Sequence, residues 1–292
     1  MNKIQTPGRH PFSIPVKGGQ PIEGVRLVGN QSGKTLMVTA GVHGDEYVGI
    51  QAVRELLAQL SPGELSGQVI FVPVVNAGGF FAGTYRVPED GENLNRCFPG
   101  VKGETYTWNM ASVLEAALYP QTDFLLDLHG GGIYETMEPL AFFPVDAGER
   151  VKSVARQAGQ ALSLTLLVQS FARDGLYSWA AQQGIPGLLV ERGGGGTWSR
   201  AEVDAARRTS SSCWTFWRSV PMEAGRERRG RWRTPTMKPY RPTAIGIPKS
   251  SRETLSPREN FWAVWKAGKG RPCRPSPPPL TAWCCTKPIS WV

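Results

Sequence analysis

The sequence lacks the features that mark membrane-spanning, secreted or disulfide-stapled proteins. It has no apolar run near the roughly 20 residues that a membrane helix needs, and no apolar stretch follows the N-terminal methionine. It has five cysteines, an odd number, with no CxxC spacing among them. This pattern excludes a regular disulfide framework and a zinc ribbon. We therefore expect a cytoplasmic protein with no membrane partner.

Acidic residues are scarce in the last 84 positions. Residues 209–292 hold 16 Lys plus Arg against 4 Glu and no Asp, a net charge of +12. The first 208 residues hold 17 Lys plus Arg (33 − 16) against 20 acidic residues (24 − 4), a net charge of −3. The overall charge of +9 thus comes from the tail, and it gives no reason to expect that the body binds nucleic acid.

Aliphatic residues are also scarce in this tail. Only 10 of its 84 positions are Leu, Ile, Val or Phe, whereas it holds 12 of the 24 prolines and 7 of the 10 tryptophans. So few aliphatic side chains cannot build a core of domain size. One interpretation is a basic, aromatic arm for nucleic acid or anionic membranes. We favour another, translation of a GC-rich gene in a shifted frame, and predict a domain at 1–208 followed by a non-native tail at 209–292.

Histidine occurs only three times, and two of the three residues end predicted strands beside glycine. His43 follows the apolar run 36–40 and precedes a predicted helix at 46–60, whereas His129 follows the apolar run 124–128. A histidine at a strand end is most often an ordinary core or surface residue. Glu46, however, lies three residues after His43, and a first helical turn would place both side chains on one face.

Two histidines and one glutamate, with a fourth position left to water, form the ligand set of a catalytic zinc site. A structural zinc site would instead use four Cys or His ligands close together in sequence. Asp127 lies on the same strand face as His129 and suits a carboxylate that bonds the imidazole opposite the metal. The sequence therefore predicts one zinc ion per chain, held by His43, Glu46 and His129.

Strands and helices alternate through the body, which indicates an α/β layered fold with a mostly parallel sheet. Residues 1–24 are predicted to be a loop, and so are residues 80–105, which carry several polar side chains. Strands are predicted at 24–28, 36–40, 69–75, 124–128, 140–145, 164–168 and 187–191, with the first at an edge. Helices are predicted at 46–60, 106–118, 149–162, 176–183 and 202–207.

Three motifs in order resemble those of the succinylglutamate desuccinylase/aspartoacylase family, a relative of the zinc carboxypeptidases. They are His43-Gly44-Asp45-Glu46, Asn93-Leu94-Asn95-Arg96 and Asp127-Leu128-His129-Gly130. The resemblance implies a carboxypeptidase-like mixed sheet flanked by helices, with one zinc ion. It also implies hydrolysis of the amide bond of a small N-acyl amino acid. The β-rich C-terminal domain of the family is expected to be corrupted or absent here.

The resemblance also implies roles for residues beyond the metal ligands. Glu191, at a strand end before glycine, matches the general base, and Arg86 matches a cation that stabilises the oxyanion. Asn95 and Arg96 match the pair that binds the substrate carboxylate. Both residues also have plainer, non-functional interpretations. Glu191 could simply pair with Arg192, and Arg96 could be a solvated charge on its loop. A carboxypeptidase of short peptides, or a zinc-binding but weakly active chain, also remains open, and the sequence leaves the oligomeric state undetermined.

Overall fold

A mixed eight-stranded sheet with helices on both faces forms the centre of the fold. The computed structural model describes residues 6–220. The strands are β1 (Gly8–Ile14), β2 (Ile22–Val28), β3 (Gln31–Ala40), β4 (Ser66–Val72), β5 (Phe124–His129), β6 (Thr136–Pro144), β7 (Leu166–Ser170) and β8 (Gly187–Gly194). The α-helices are α1 (Tyr47–Gln59), α2 (Ala77–Ala82), α3 (Tyr106–Leu118), α4 (Glu149–Gln160), α5 (Leu176–Gln182) and α6 (Arg200–Ser219).

The strand order is β1-β2-β4-β3-β5-β8-β6-β7. The four central strands β4, β3, β5 and β8 run parallel, and β6 pairs in parallel with β7. The β1–β2, β2–β4 and β6–β8 pairs are antiparallel. This arrangement confirms the predicted mixed sheet. The carboxyl ends of β3, β5 and β8 lie side by side, and that edge positions the candidate site.

The sheet buries apolar side chains on both faces, as expected for central parallel strands covered by helices. Leu36 and Val38 of β3 belong to a cluster on the face covered by α1, α4 and α6. Met37, between them, belongs to the cluster on the opposite face, which α3 and α5 cover. The alternation of side chains along one strand thus builds two apolar layers.

The N-terminal segment differs from the prediction. Part of the predicted loop at 1–24 is the edge strand β1, and the predicted edge strand at 24–28 belongs to β2, an inner strand. Pro11 lies within β1, opposite Val25 of β2. Prolines are tolerated on edge strands, where a missing N–H breaks no ladder on the open side. Pro11 is therefore compatible with an edge strand rather than a loop.

Helix α2 lies after β4, although Gly78 and Gly79 fall within it. The side-chain oxygen of Asn76 accepts a hydrogen bond from Gly79 N at 2.8 Å. Such an N-cap satisfies a backbone donor that a glycine-rich turn would leave to water. The cap outweighs the low helix propensity of the glycines.

Helix α6 continues past residue 208, the predicted end of the domain, to Ser219. Cys213 and Trp217 are buried in the apolar cluster beneath α6. The Lys34 ammonium group donates to the carbonyl of Trp217 at 2.9 Å, and also to that of Val220, so it caps the helix end. The non-native character of the later tail stays a prediction, because residues 221–292 lie outside the described part.

Within residues 6–220, no helix has both the length and the apolar composition that crossing a membrane would require.

Candidate metal centre

The turn between β3 and α1 places His43 and Glu46 at the edge of the sheet. Gly41 begins this turn with φ +64°, a conformation that favours glycine. At Gly44, a Cβ atom would lie 2.0 Å from the carbonyl carbon of Gly79, so only glycine fits there. Helix α1 begins one residue after Glu46. His43 and Glu46 thus lie where β3 ends and α1 begins, as predicted, with Glu46 as the N-cap residue of the helix.

Three buried side chains converge at this point. His43 Nδ1 lies 2.7 Å from Glu46 Oε1, and His129 Nδ1 lies 2.9 Å from Glu46 Oε2. The two imidazole rings approach edge to face, with centroids 4.9 Å apart. One ligand atom from each of the three residues lies within 4.8 Å of the others. The structure therefore brings the three predicted ligands together.

This donor set suits zinc, because two imidazole nitrogens and one carboxylate are ligands that zinc favours. The Nε2 atom of each imidazole, on the side of the ring away from Glu46, lies near a side-chain oxygen. His129 Nε2 lies 3.1 Å from Asp127 Oδ2, and His43 Nε2 lies 3.1 Å from Asn93 Oδ1. If both Nε2 atoms carry the hydrogen, both Nδ1 atoms face inward with free lone pairs. The donor atoms of these residues therefore suit one metal ion.

The charges of the cluster reinforce one another. Burial opposes ionisation of Glu46, but the neighbouring imidazoles outweigh it and lower the pKa of this carboxyl to about 2. Burial also opposes a charge on His129, yet the carboxylates of Asp127 and Glu46 raise the pKa of its imidazole well above the usual value. An anionic carboxylate that favours positive charge beside it is what a cation site requires.

Glu191 lies beside this cluster. It pairs in register with His129 across the parallel strands β5 and β8. Its Oε2 atom is buried and has no hydrogen-bond partner among the described residues. Burial is the main cause that raises the pKa of the Glu191 carboxyl to about 7. The guanidinium of Arg192 instead lies 3.0 Å from the carboxylate of Glu202. The structure thus pairs Arg192 with Glu202, and not with Glu191 as in the plainer alternative.

The predicted substrate-binding pair occupies a short 3₁₀ turn, Leu94–Arg96. The side-chain oxygen of Asn95 accepts from Leu176 N at 2.9 Å, which ties this turn to the start of α5. Arg96 is exposed, and its guanidinium donates to the carbonyl of Asn95 at 2.6 Å. Asn95 therefore anchors the turn, whereas Arg96 keeps a solvent-facing cation on it.

Arg86 is less constrained than the other predicted site residues. Its side chain is exposed, and its guanidinium donates to the carbonyl of Gly91 at 3.0 Å, within its own loop. The described contacts of Arg86 thus shape the loop and do not reach the three ligands. Its proposed contact with an oxyanion stays a prediction.

Two residues beside His43 were missed by sequence reasoning. Tyr85 stacks flat on the His43 ring, with centroids 3.6 Å apart and planes 16° apart. Asn93, to which the sequence motif gave no role of its own, has its side-chain oxygen 3.1 Å from His43 Nε2. Asn93 lay inside a motif that already pointed to the site. Tyr85 gave no signal, because an aromatic residue in a loop has no periodicity that indicates its contacts.

Residues 32–216 match the model of the succinylglutamate desuccinylase/aspartoacylase catalytic domain. The chain belongs to this family. The matched segment includes the three candidate ligands, Glu191 and most of α6. The resemblance stated from the motifs is thereby confirmed.

Individual relatives agree with this assignment. N-alpha-acetyl-L-2,4-diaminobutyric acid deacetylase of Halomonas elongata is 35% identical over 176 residues, which cover 59% of this chain and 52% of the relative. The crystal structure of a succinylglutamate desuccinylase from a Silicibacter species is 28% identical, with a TM-score of 0.67, covering 73% of this chain and 68% of that one.

The carboxypeptidase-like fold is shared more widely. A metallo-carboxypeptidase from Burkholderia cenocepacia superposes with a TM-score of 0.58 at 15% identity, covering 73% of this chain and 66% of the other. At that identity the likeness concerns the fold alone. The present chain spans about half the length of the deacetylase that it matches.

Proposed function

We propose that this chain is a zinc-dependent hydrolase that cleaves the amide bond of an N-acyl amino acid. The observation that carries the proposal is the buried convergence of His43, Glu46 and His129, whose ligand atoms lie within 4.8 Å of one another. The similarity to a deacetylase of an acetylated diamino acid supports the amide substrate class. Zinc is the metal that best suits this donor set when one position remains open.

When bound, zinc polarises the amide carbonyl and makes water a stronger nucleophile near neutral pH. The residues of the chain then have distinct tasks. Glu191 takes the proton of the attacking water, for which an unpartnered oxygen and a pKa raised to about 7 are suitable. Its position beside His129 on the neighbouring strand places the carboxylate at the same sheet edge.

The substrate would be held by groups on the long loop. Arg96 presents an exposed guanidinium that can bind the free carboxylate of an amino acid with two parallel hydrogen bonds. Asn95 keeps the turn fixed through its bond to Leu176 N. Arg86 would stabilise negative charge on the carbonyl oxygen as it develops.

Purified full chain tests the proposal in two steps. Metal analysis should find one zinc per chain, and His43→Ala or His129→Ala should lose it. Release of free amine from N-acetylated diamino acids, other N-acyl amino acids and dipeptides should show preference for the acylated amino acids. A zinc-free wild-type protein would overturn the proposal, and a preference for dipeptides would indicate a carboxypeptidase.

Glu191→Gln separates the chemistry from metal binding. This variant should keep one zinc per chain, since Glu191 is not a predicted ligand. It should lower kcat by about 10²-fold or more, as expected when a general base is lost. A Glu191→Gln protein with wild-type kcat would show that another group takes the proton.

A further inference from the structure

Asn93 lies between the Leu94–Arg96 turn and the metal centre. Its side-chain oxygen accepts two hydrogen bonds, from the backbone N–H of Asn95 at 2.8 Å and from His43 Nε2 at 3.1 Å. One amide oxygen thus joins the turn that carries Arg96 to an imidazole of the zinc site.

The backbone bond decides how the Asn93 amide is oriented. A backbone N–H can only donate, so the oxygen of Asn93, and not its NH₂ group, must face Asn95 N. The same oxygen then faces His43 Nε2, where it can only accept. His43 must therefore carry its hydrogen on Nε2. That tautomer leaves a free lone pair on Nδ1, which lies 2.7 Å from Glu46 Oε1.

The two histidines differ in the charge of their outer partners. His129 Nε2 lies against the carboxylate of Asp127, whereas His43 Nε2 lies against the neutral amide of Asn93. The His43 ring is also covered on one face by Tyr85, at a centroid distance of 3.6 Å. Asn93 at the edge of the His43 ring and Tyr85 on its face together limit both rotation and tilt of this imidazole.

We propose that Asn93 is a positioning residue, which fixes the orientation and tautomer of His43 for metal binding and couples this ligand to the Arg96 turn. The inference rests on the proposed function, because it requires a metal at the site. Asn93 would act through His43 and the turn, since its side-chain oxygen is already bonded to His43 Nε2 and Asn95 N. It acts by holding His43 Nδ1 toward the position shared with Glu46 and His129.

Two substitutions separate this role from a role in the turn alone. In Asn93→Ser the shorter side chain can still accept from Asn95 N, as serine does in such turns, but it does not reach His43 Nε2. In Asn93→Asp both acceptor contacts remain possible. Asn109→Ser is the control, since Asn109 is a buried asparagine whose side chain bonds the backbone of Gly103, Glu104 and Thr105 and none of the three candidate ligands.

The measurement is the zinc dissociation constant of each full-length protein, obtained by competition with a chromophoric chelator. Loss of an outer partner of a metal-bound histidine weakens metal binding by about 10–100-fold, and we expect that loss in Asn93→Ser. Asn93→Asp should bind zinc at least as tightly as the wild type, and Asn109→Ser should match the wild type. Thermal melts of the metal-free proteins check that each variant is folded.

The outcomes separate this inference from the proposed function. A wild-type protein without zinc affinity would overturn both. Wild-type binding with an unchanged dissociation constant in Asn93→Ser would overturn the positioning role alone. Equal weakening in Asn93→Ser and Asn93→Asp would also overturn it, because the acceptor oxygen would then not be what matters. If Asn93→Ser does not fold, wild-type affinity in Asn93→Asp still supports the role and a tenfold loss contradicts it.

Discussion

Replacement of Trp217 by alanine tests whether residues 209–219 belong to the native domain. The composition of the tail placed the end of the domain at 208, whereas the structure continues α6 to Ser219. Trp217 is 3% exposed, and its ring lies 5.1 Å from that of Phe124. Lys34 Nζ lies 4.4 Å from the Trp217 ring centroid. If α6 is native, this ring contributes to the stability of the whole domain.

The expected loss follows from these contacts. A buried aromatic ring removes about 150–250 Å² from water, which at about 25 cal/mol per Å² amounts to about 4–6 kcal/mol. Two effects reduce this figure. The indole N–H of Trp217 has no acceptor among the described residues, so its removal relieves about 1 kcal/mol. Alanine is also a better helix former, by up to about 0.7 kcal/mol. A net loss of about 2–4 kcal/mol remains.

Thermal unfolding followed by circular dichroism measures this loss. For a domain of this size, 1 kcal/mol lowers Tm by about 2–4 °C, so Trp217→Ala should lower it by about 4–16 °C. Trp214→Ala is the matched control, because Trp214 lies on the same helix but is only partly buried. Its effect should be less than half as large. A Trp217→Ala protein that unfolds within about 1 °C of the wild type would refute the packing of α6.

Three further predictions concern the site and the tail. Asp127→Asn should weaken zinc binding by about 10–100-fold, because the buried carboxylate that bonds His129 is lost. Competition with a chelator measures the zinc affinity, and an unchanged affinity would contradict this prediction. Arg96→Ala should raise KM for N-acyl amino acids and leave kcat nearly unchanged in steady-state assays, because the substrate carboxylate that Arg96 is proposed to bind does not react. A fall in kcat alone would argue against that proposed role. The coding DNA after about codon 220, read in the other two frames, should give a sequence of ordinary acid content with alternating apolar residues, and a lack of any such frame would exclude the frameshift.

Local patterns in the sequence were sufficient for most of the central elements. Helix α3, predicted at 106–118, has those bounds in the structure, and the central strands were found because both of their faces are apolar. The candidate metal ligands could be named because His43 and His129 each follow an apolar run and precede a glycine, and Glu46 lies three residues after His43. These signals come from residues near one another in the chain, so they can be read from one amino-acid sequence.

Only the tertiary structure decided which of these residues meet. Periodicity indicates which face of a strand is buried, but it does not give the neighbour of that strand. Because β5 lies between β3 and β8, His129 comes beside the β3–α1 turn and pairs in register with Glu191. The contact of Asn93 with His43 depends on a long loop that folds back over this edge. Likewise, α6 extends past residue 208 because its apolar side packs on the sheet, which composition alone could not reveal.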